Sequence, residues 1–485
     1  MTARYMNLIG GEWSGSDSDV DDINPSDLDD VVGVAPRSRR SAAKEAIGAA
    51  VEALPAWSLT SPEERALILD AAAAEVRGRS RELGTLLARE EGKPVAEATG
   101  EVIRSANLLM FFAGEALRAG GELVPSVRRG LSVEITREPV GVVGLITPWN
   151  FPMAIPTWKI APALAWGNTV VFKPAENTPG CAYELVDILH RAGLPNGVLN
   201  LVFGKGSEIG AELVESGDID AISFTGSAPI GRGIIRDTAS RGARAQVEMG
   251  GKNPMVVIDD ADLDLAVEAS ANGAFFSTGQ RCTASSRLIV TEAIHDAFVE
   301  KLSARVTGMR VGHALDPLTV VGPVVDSAQL DQDLRYIELA AEEGGRVMGG
   351  ELVQRETRGH FLTPALITET TARMTINREE VFGPVASVIR VADYDEALAV
   401  ANDTEFGLSA GICTSSLAIA RDFTRRARAG MVMVNAPTAG VDFHVPFGGT
   451  KGSSYGPREQ GTYAREFYST VKTAYVNSAL PGGPV

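Results

Sequence analysis

Apolar positions fall into two rhythms along the chain. Between about Ala42 and Gly120 they recur every three to four residues, as in the alanine-rich stretch 66–77, with Pro55, Pro62 and Pro94 as punctuation. That spacing predicts a run of amphipathic helices. From Val140 short apolar runs take over: 142–146, 169–172, 198–202 and 221–224 alternate with helical stretches that include 181–192 and 207–216. Strand, helix, strand repetition predicts a parallel sheet with crossover helices. A second series follows, with strands expected at 255–258, 287–290, 361–366, 386–391, 411–413 and 431–435 and a helix at 263–276. The break between the series falls at Gly250-Gly251.

The expected fold is therefore α/β, with two doubly wound parallel-sheet domains, one from 1–116 with 139–249 and one from 250–449. Two segments lie outside both series. Residues 122–138 alternate through Leu131, Val133 and Ile135, and residues 468–476 form an extended tail. Both read as exposed strands, and an unpaired strand edge is a natural place for another subunit to pair. Residues 117–138 and 450–485 are thus expected to form a small β oligomerisation arm and C-terminal tail, in a homodimer or homotetramer.

Length and composition agree with this. At 485 residues the chain exceeds the ~100–200 residues of a single ordinary core. Apolar residues at 45% and charged residues at 22% describe a globular enzyme rather than a disordered chain. The net charge of −17, with no Lys/Arg-rich segment, repels a phosphate backbone, so no nucleic-acid partner is expected. A few arginines gathered in one pocket still admit an anionic substrate, because pocket potential is local. Met1 to Trp13 lack a basic stretch followed by an apolar one, and no window approaches the ~20 apolar residues of a membrane span. A cytoplasmic protein with no membrane partner is expected. Cys181, Cys282 and Cys413 are odd in number and lack CxxC spacing, which indicates neither a disulfide framework nor a thiolate metal site. His190, His295, His313, His360 and His444 stand far apart without HxxxH or HExxH, so no metal is expected.

Parallel α/β sheets bind ligands at the carboxyl ends of their strands. The loops there are rich: Thr147-Pro148-Trp149-Asn150-Phe151-Pro152, then Lys173-Pro174-Ala175-Glu176, then Phe224-Thr225-Gly226-Ser227 with Gly231 close behind. No GxGxxG occurs, and Gly204-Lys205-Gly206 only half matches it. Gly226 permits a tight turn, and Ser227 opens a helix whose first amides favour phosphate; a plain helix cap is the alternative. Lys173 and Glu176 end a neighbouring strand, where a carboxylate can accept from ribose hydroxyls. A surface Lys–Glu pair is the alternative there.

Asn150 in TPWNFP, Glu248 in EMGGKNP, Cys282 in GQRC, Glu380 in EEVFGPV and PFGG at 446–449 resemble the successive signature motifs of the aldehyde dehydrogenase superfamily. Order and spacing match over nearly the whole chain, from about Leu8 to Val476. The resemblance implies NAD(P)-dependent oxidation of an aldehyde to a carboxylate, with residues before the break forming the cofactor-binding domain and those after it the catalytic one. Cys282 is the implied nucleophile; a free thiol ionises near pH 8.5 and needs a base or a favourable field, whereas Cys181 and Cys413 read as core residues. The oxyanion falls to the Asn150 side chain and the Cys282 N–H. Glu248 is the implied general base for thioester hydrolysis, better suited if apolar surroundings lift its pKa. For the cofactor, the resemblance sets Ser227 and Trp149 against the pyrophosphate, Lys173 and Glu176 on the adenosine ribose, Glu380 on the nicotinamide ribose and Phe382 beside the ring. Ile146, Thr147, Pro148, Gly204, Phe224, Gly226 and Gly231 line the same groove. Glu176 would repel a 2′-phosphate, so NAD is expected over NADP, with Lys173 partly compensating.

Aligning Phe111-Phe112-Ala113-Gly114 with the family's helix motif sets Arg104 in the substrate pocket, with Phe151, Trp158, Arg281, Thr283 and Phe447. Relatives acting on neutral aldehydes tend to carry apolar or small residues where Arg104 and Arg281 stand. Two guanidinium groups can hold a carboxylate, which points to an ω-oxo acid. The surroundings at 154–159 and 445–449 are most similar to bacterial 2-oxoglutarate semialdehyde (2,5-dioxopentanoate) dehydrogenases. Succinate semialdehyde or a broad range of aldehydes is the alternative, as is a solvated Arg104 with Arg281 on a surface loop. CoA-acylating relatives typically lack the glutamate at 248. A catalytically silent protein on the same fold is disfavoured by Asn150, Glu248 and Cys282 occurring together.

Overall fold

The computed structural model describes residues 2–118 and 120–477. The helical rhythm resolves into four consecutive helices, Arg40–Ser58, Pro62–Gly78, Ser80–Glu91 and Val95–Ala116. Local signals set their limits. Ser61 and Glu64 form a reciprocal capping box with Pro62 at the first helical position, which satisfies two otherwise orphaned donors. Gly92, at φ 95°, ends the third helix in the left-handed conformation that glycine adopts without strain.

The first sheet has eight strands in the order Ser454–Tyr455, Arg244–Glu248, Ala221–Thr225, Val142–Ile146, Thr169–Lys173, Leu199–Leu201, Asn7–Ile9 and Glu12–Ser14. The strands from Arg244–Glu248 to Leu199–Leu201 are mutually parallel, and the outer ones add antiparallel. From Val142–Ile146 the chain builds outward in one direction to Leu199–Leu201, then returns to the other side of Val142–Ile146. The resulting switch point opens a crevice between the loops after Val142–Ile146 and Ala221–Thr225.

The chain then crosses to a second sheet through residues 249–252. Its order is Arg346–Met348, Ala365–Thr370, Val385–Val391, Ser285–Thr291, Asn253–Val257, Ser409–Cys413 and Met431–Val434. All of these pair in parallel except Arg346–Met348. The two sheets with their helices are the two doubly wound units expected. Among the described residues no helix is long and apolar enough to cross a membrane.

Several expectations change in detail. The run 361–366 enters the sheet late, as Ala365–Thr370, because Pro364 has no N–H to give to a ladder. The stretch 207–216 begins as a π-turn, Gly206–Gly210, before Ala211–Glu215 continues as α-helix. Arg244–Glu248 offers only Ala245 and Val247 as apolar residues and was not among the expected strands. Most consequential is the arm: Leu131–Pro139 pairs along its length with Ser469–Asn477, from Ser469 opposite Pro139 to Asn477 opposite Leu131, and Glu122–Pro125 pairs on its other side. The two supposedly independent edges are partners of one another. Alternation identifies a strand but carries no information about which strand lies beside it. The part of the expected tail beyond Asn477 lies outside the described residues.

Candidate active site

Cys282 lies between the helix Leu263–Phe275 and the strand Ser285–Thr291. The chain reaches it through a left-handed turn at Ser277 (φ 51°), Thr278 (φ 56°) and Gly279 (φ 65°). Two consecutive non-glycine residues in that region are uncommon and are held by their surroundings. Gln280 N–H donates to the Ser277 carbonyl at 3.0 Å, and the Gln280 side chain accepts from Val325 N–H at 2.9 Å. Beyond the cysteine, Asn253 Nδ2 donates to the carbonyls of Cys282 (2.8 Å) and Ala284 (2.9 Å). The nucleophile loop is thereby tied to the first strand of the second sheet.

The thiol is half-buried. Burial, followed by the carboxylates of Glu380 and Glu248, pushes it up to about 12, while the backbone N–H groups of Thr283 and Cys282 act in the opposite sense. Glu248 ends the strand Arg244–Glu248 and is 2% exposed. Its carboxyl accepts from Ser454 Oγ at 2.5 Å, and a Cβ on Gly448 would lie 2.8 Å from Oε1, so glycine is needed for this approach. Burial and the nearby Glu459 hold Glu248 well above the ordinary carboxylate range, against Ser454, Lys159 and Arg458. Glu459 itself is ion-paired with buried Lys159, whose ammonium also donates to Ser223 Oγ at 2.7 Å.

Asn150 is 2% exposed and donates from Nδ2 to the Gln280 carbonyl at 3.0 Å. An amide nitrogen carries two donors, so this bond uses one of the two Asn150 N–H groups. The loop is held from behind. Lys93 Nζ donates to the Asn150 carbonyl at 2.6 Å and to Glu101 at 2.7 Å, and lies 3.8 Å from the Phe151 ring centroid. The other Glu101 oxygen accepts from Met153 N–H (3.0 Å) and Ala154 N–H (3.1 Å). Neither Lys93 nor Glu101 was anticipated from the sequence. The available signal was Glu101 falling among Ala98, Val102 and Ser105 on the buried side of its helix, since a buried charge needs a partner.

A cavity of about 270 Å³ opens beside Cys282. It brings together Arg104, Phe151, Trp158, Arg281, Thr283 and Phe447, and adds Lys93, Glu97 and Glu101. Trp158 and Phe447 face each other at 5.3 Å. Arg104 donates to the Val441 carbonyl and, at 2.9 Å, to Gln460 Oε1, with its guanidinium 6.0 Å from the Trp158 ring centroid. Arg281 Nη2 donates to the carbonyls of Asn272 and Gly273, the latter at 3.1 Å, while its Nε has no partner. Among the described residues neither guanidinium belongs to an ion pair. Burial lowers the pKa of both, yet an arginine stays cationic in a protein.

The remaining candidates line the switch-point crevice. Ile146 ends the central strand and Thr147, Pro148 and Trp149 follow it; Lys173 is buried at the end of the next, with Glu176 exposed beyond it. Lys173 Nζ donates to the Pro174 carbonyl at 2.7 Å; burial lowers this ammonium to about 8, against the pull of Glu176. Ser227 is exposed at the cap of Ala228–Ser240, and its hydroxyl makes no cap bond. Gly231 packs where a Cβ would meet Met249 Sδ and Val247 at 2.7 Å, letting this helix lie against the edge of the sheet. Gly226 lies in a bend, as expected of a turn, without a left-handed φ, and glycine is required there because a Cβ would fall 2.5 Å from the Phe224 ring. Gly204, at φ 145°, passes close to the Ser38 carbonyl. From the second sheet, Glu380 accepts from Gly251 N–H at 2.8 Å and burial pushes it up to about 7. Phe382, itself left-handed at φ 66°, meets Trp149 edge-on at 5.5 Å.

A dinucleotide is rich in phosphate and hydroxyl groups, and this crevice suits one. It presents a helix N-terminus without a side-chain cap, an ammonium and a carboxylate at one strand end, and the buried hydroxyls of Thr147 and Thr225, which have no partner among the described residues. The model of the aldehyde dehydrogenase family matches residues 13–474. This chain belongs to that family. The alpha-ketoglutaric semialdehyde dehydrogenase of Bacillus subtilis is 44% identical over 477 residues, covering 97% of this chain and 98% of that protein. The 2,5-dioxopentanoate dehydrogenase of Saccharolobus solfataricus is 42% identical, covering 97% of this chain and 99% of that one. Among solved structures, betaine aldehyde dehydrogenase from Staphylococcus aureus in complex with NAD+ superposes with a TM-score of 0.95 at 34% identity, over 99% of this chain and 96% of that one. In this aldehyde dehydrogenase the thiol and the amide donor come from two separate loops and the buried carboxyl from the end of a strand. Such a site can add a thiol to a carbonyl, stabilise the oxyanion and activate water.

Proposed function

We propose that this aldehyde dehydrogenase oxidises a short ω-oxo carboxylate, with 2-oxoglutarate semialdehyde its best substrate, and that it prefers NAD to NADP. The observation that carries the substrate reading is the pair of arginines, Arg104 and Arg281, that line the cavity beside Cys282 without a carboxylate partner. An unpaired buried cation is costly, and a bound carboxylate offsets that cost through charge-assisted hydrogen bonds. The names of the Bacillus and Saccharolobus relatives agree with it.

In the reaction Cys282 Sγ adds to the aldehyde carbon as the thiol passes its proton to solvent, leaving the charge on the carbonyl oxygen. The oxyanion is met by the second Asn150 N–H and the Cys282 N–H. Glu380 would hold the nicotinamide ribose of NAD(P), which would serve as the hydride acceptor for oxidation to the thioester level. Glu248, a stronger base than an ordinary carboxylate, takes a proton from water, which attacks the thioester carbon; the carboxylate product leaves and the thiol is restored. For the cofactor, Glu176 stands where a 2′-phosphate would meet like charge. The arm formed by 122–139 and 469–477 is assigned to subunit pairing, its exposed Leu123, Val471 and Tyr475 being the apolar surface for it.

The test is kcat/KM for 2-oxoglutarate semialdehyde and for pentanal, each with NAD and with NADP. The ω-oxo acid with NAD should rank first. Pentanal turned over as well as the ω-oxo acid would overturn the substrate reading, and a higher value with NADP would overturn the cofactor reading.

A further inference from the structure

The helix Val95–Ala116 carries, one turn before Glu101, a second acid whose contacts lead toward the nucleophile. Glu97 is half-buried at the cavity wall. One oxygen accepts from Ser277 N–H at 3.3 Å and the other from Ser277 Oγ. Ser277 is the first residue of the left-handed turn that delivers Cys282. Its carbonyl in turn accepts from Gln280 N–H at 3.0 Å, and the Gln280 carbonyl accepts from Asn150 Nδ2 at 3.0 Å. A continuous set of hydrogen bonds thus runs from Glu97 through the strained turn to the amide assigned to the oxyanion, with Cys282 two residues beyond Gln280.

We propose that Glu97 is a positioning residue for the reaction: by holding both donors of Ser277 it keeps the turn left-handed, and so fixes where Cys282 Sγ and the Asn150 amide stand relative to each other. The proposal rests on the reading of Cys282 as nucleophile and Asn150 as oxyanion donor. A serine has no intrinsic preference for this conformation, unlike glycine or asparagine, so the turn needs an outside partner. A carboxylate suits it because two acceptor oxygens meet an N–H and an O–H at once. Reacting groups displaced by about an ångström lose up to about a hundredfold in rate, so loss of this restraint reaches the chemistry without Glu97 touching the substrate.

The experiment compares wild type, Glu97→Ala, Glu97→Gln and Cys282→Ala by the pre-steady-state NADH burst, KM for NAD, Tm and the pH profile of Cys282 alkylation by iodoacetamide. Cys181 and Cys413 are buried, which leaves Cys282 as the accessible thiol. Glu97→Ala should slow the burst about ten- to a hundredfold with KM for NAD unchanged. Its alkylation profile should move to lower pH, as a loosened turn hydrates a thiol now held up by burial. Glu97→Gln loses the charge and one acceptor, but its amide oxygen still accepts from Ser277 N–H and its NH2 can donate to Ser277 Oγ, so both contacts to the turn are kept; its burst should stay within about threefold of wild type and its alkylation profile should not move. Glu97→Ala with a wild-type burst and profile, whether or not Tm falls, overturns the proposal, as does Glu97→Gln behaving like Glu97→Ala. Cys282→Ala that still turns over would instead overturn the reading on which the proposal rests.

Discussion

Replacing Arg104 by leucine separates recognition of the substrate's carboxylate from everything else the pocket does. The guanidinium donates to the Val441 carbonyl and to Gln460 Oε1 at 2.9 Å, both uncharged acceptors, and lies 6.0 Å from the Trp158 ring centroid. Among the described residues no carboxylate forms an ion pair with it, although Glu101 and Asp442 lie near enough to favour its charged form. A hydrogen bond to a charged group contributes about 1.5–3 kcal/mol, and each 1.36 kcal/mol is tenfold in rate, so kcat/KM for the ω-oxo acid should fall roughly ten- to a hundredfold or slightly more. Arg104→Leu also leaves the buried Gln460 carbonyl without its donor, at a stability cost of about 1–3 kcal/mol. That loss affects every substrate alike and cancels in a ratio. The assay is thus the quotient of kcat/KM for 2-oxoglutarate semialdehyde over pentanal, measured on one preparation of each protein. A quotient that stays at the wild-type value, with both substrates losing equally, would refute recognition of the carboxylate by Arg104. Arg281→Leu is the less clean variant, because Arg281 also binds the Asn272 and Gly273 carbonyls near the end of the helix Leu263–Phe275; it should lower Tm as well as the quotient.

Cys282→Ala should abolish NAD reduction while leaving NAD binding, followed by fluorescence titration, unchanged, since the dinucleotide crevice is built from other loops; residual turnover above background would sink the thioester route. In Glu248→Gln deacylation should slow more than acylation, giving a fast NADH burst ahead of a slow steady state, and equal loss of both phases would show that another group activates the water. Because Glu248 is held well above the ordinary carboxylate range, it is a base only above that raised pKa. Wild-type deacylation should therefore increase with pH across it, and Glu248→Gln should flatten that limb. Glu176→Ser should raise kcat/KM with NADP relative to NAD, and an unchanged ratio would remove Glu176 from cofactor choice.

How much of this was readable without coordinates depended on whether the signal was local. Asn150 sits in a short polar stretch at the end of an apolar run, where a parallel sheet binds ligands. Glu248 ends a strand too poor in apolar residues to be expected, and Cys282 precedes its strand rather than following it, so these two were marked by their motifs and not by the strand, helix, strand rhythm. What failed was information held by a partner elsewhere in the chain. The alternation in Leu131–Pro139 reports a strand but cannot name Ser469–Asn477 as its neighbour. Gly226 reads as a turn residue, but that the Phe224 ring requires glycine there is not legible locally. Lys93, Glu97 and Glu101 carry charges, and charged residues are usually solvated. Their burial becomes visible only when the loops of Asn150 and Ser277 are laid against that helix.

The electrostatics of the site also set the order in which its groups can act. Cys282, Glu248 and Glu380 share one desolvated region, and Glu248 and Glu380 each raise the thiol's pKa. Three acids at such close quarters do not all ionise together. Burial pushes Glu380 up to about 7 and holds Glu248 above the ordinary carboxylate range, and a thiolate is disfavoured beside either carboxylate while that carboxylate is charged. Attack by sulfur is then easiest while Glu248 is still protonated, and water activation becomes possible only once the sulfur's charge has gone into the thioester and Glu248 is free to ionise. The same carboxyl thus favours the first step when neutral and the second when charged, and formation of the thioester is the event that separates them.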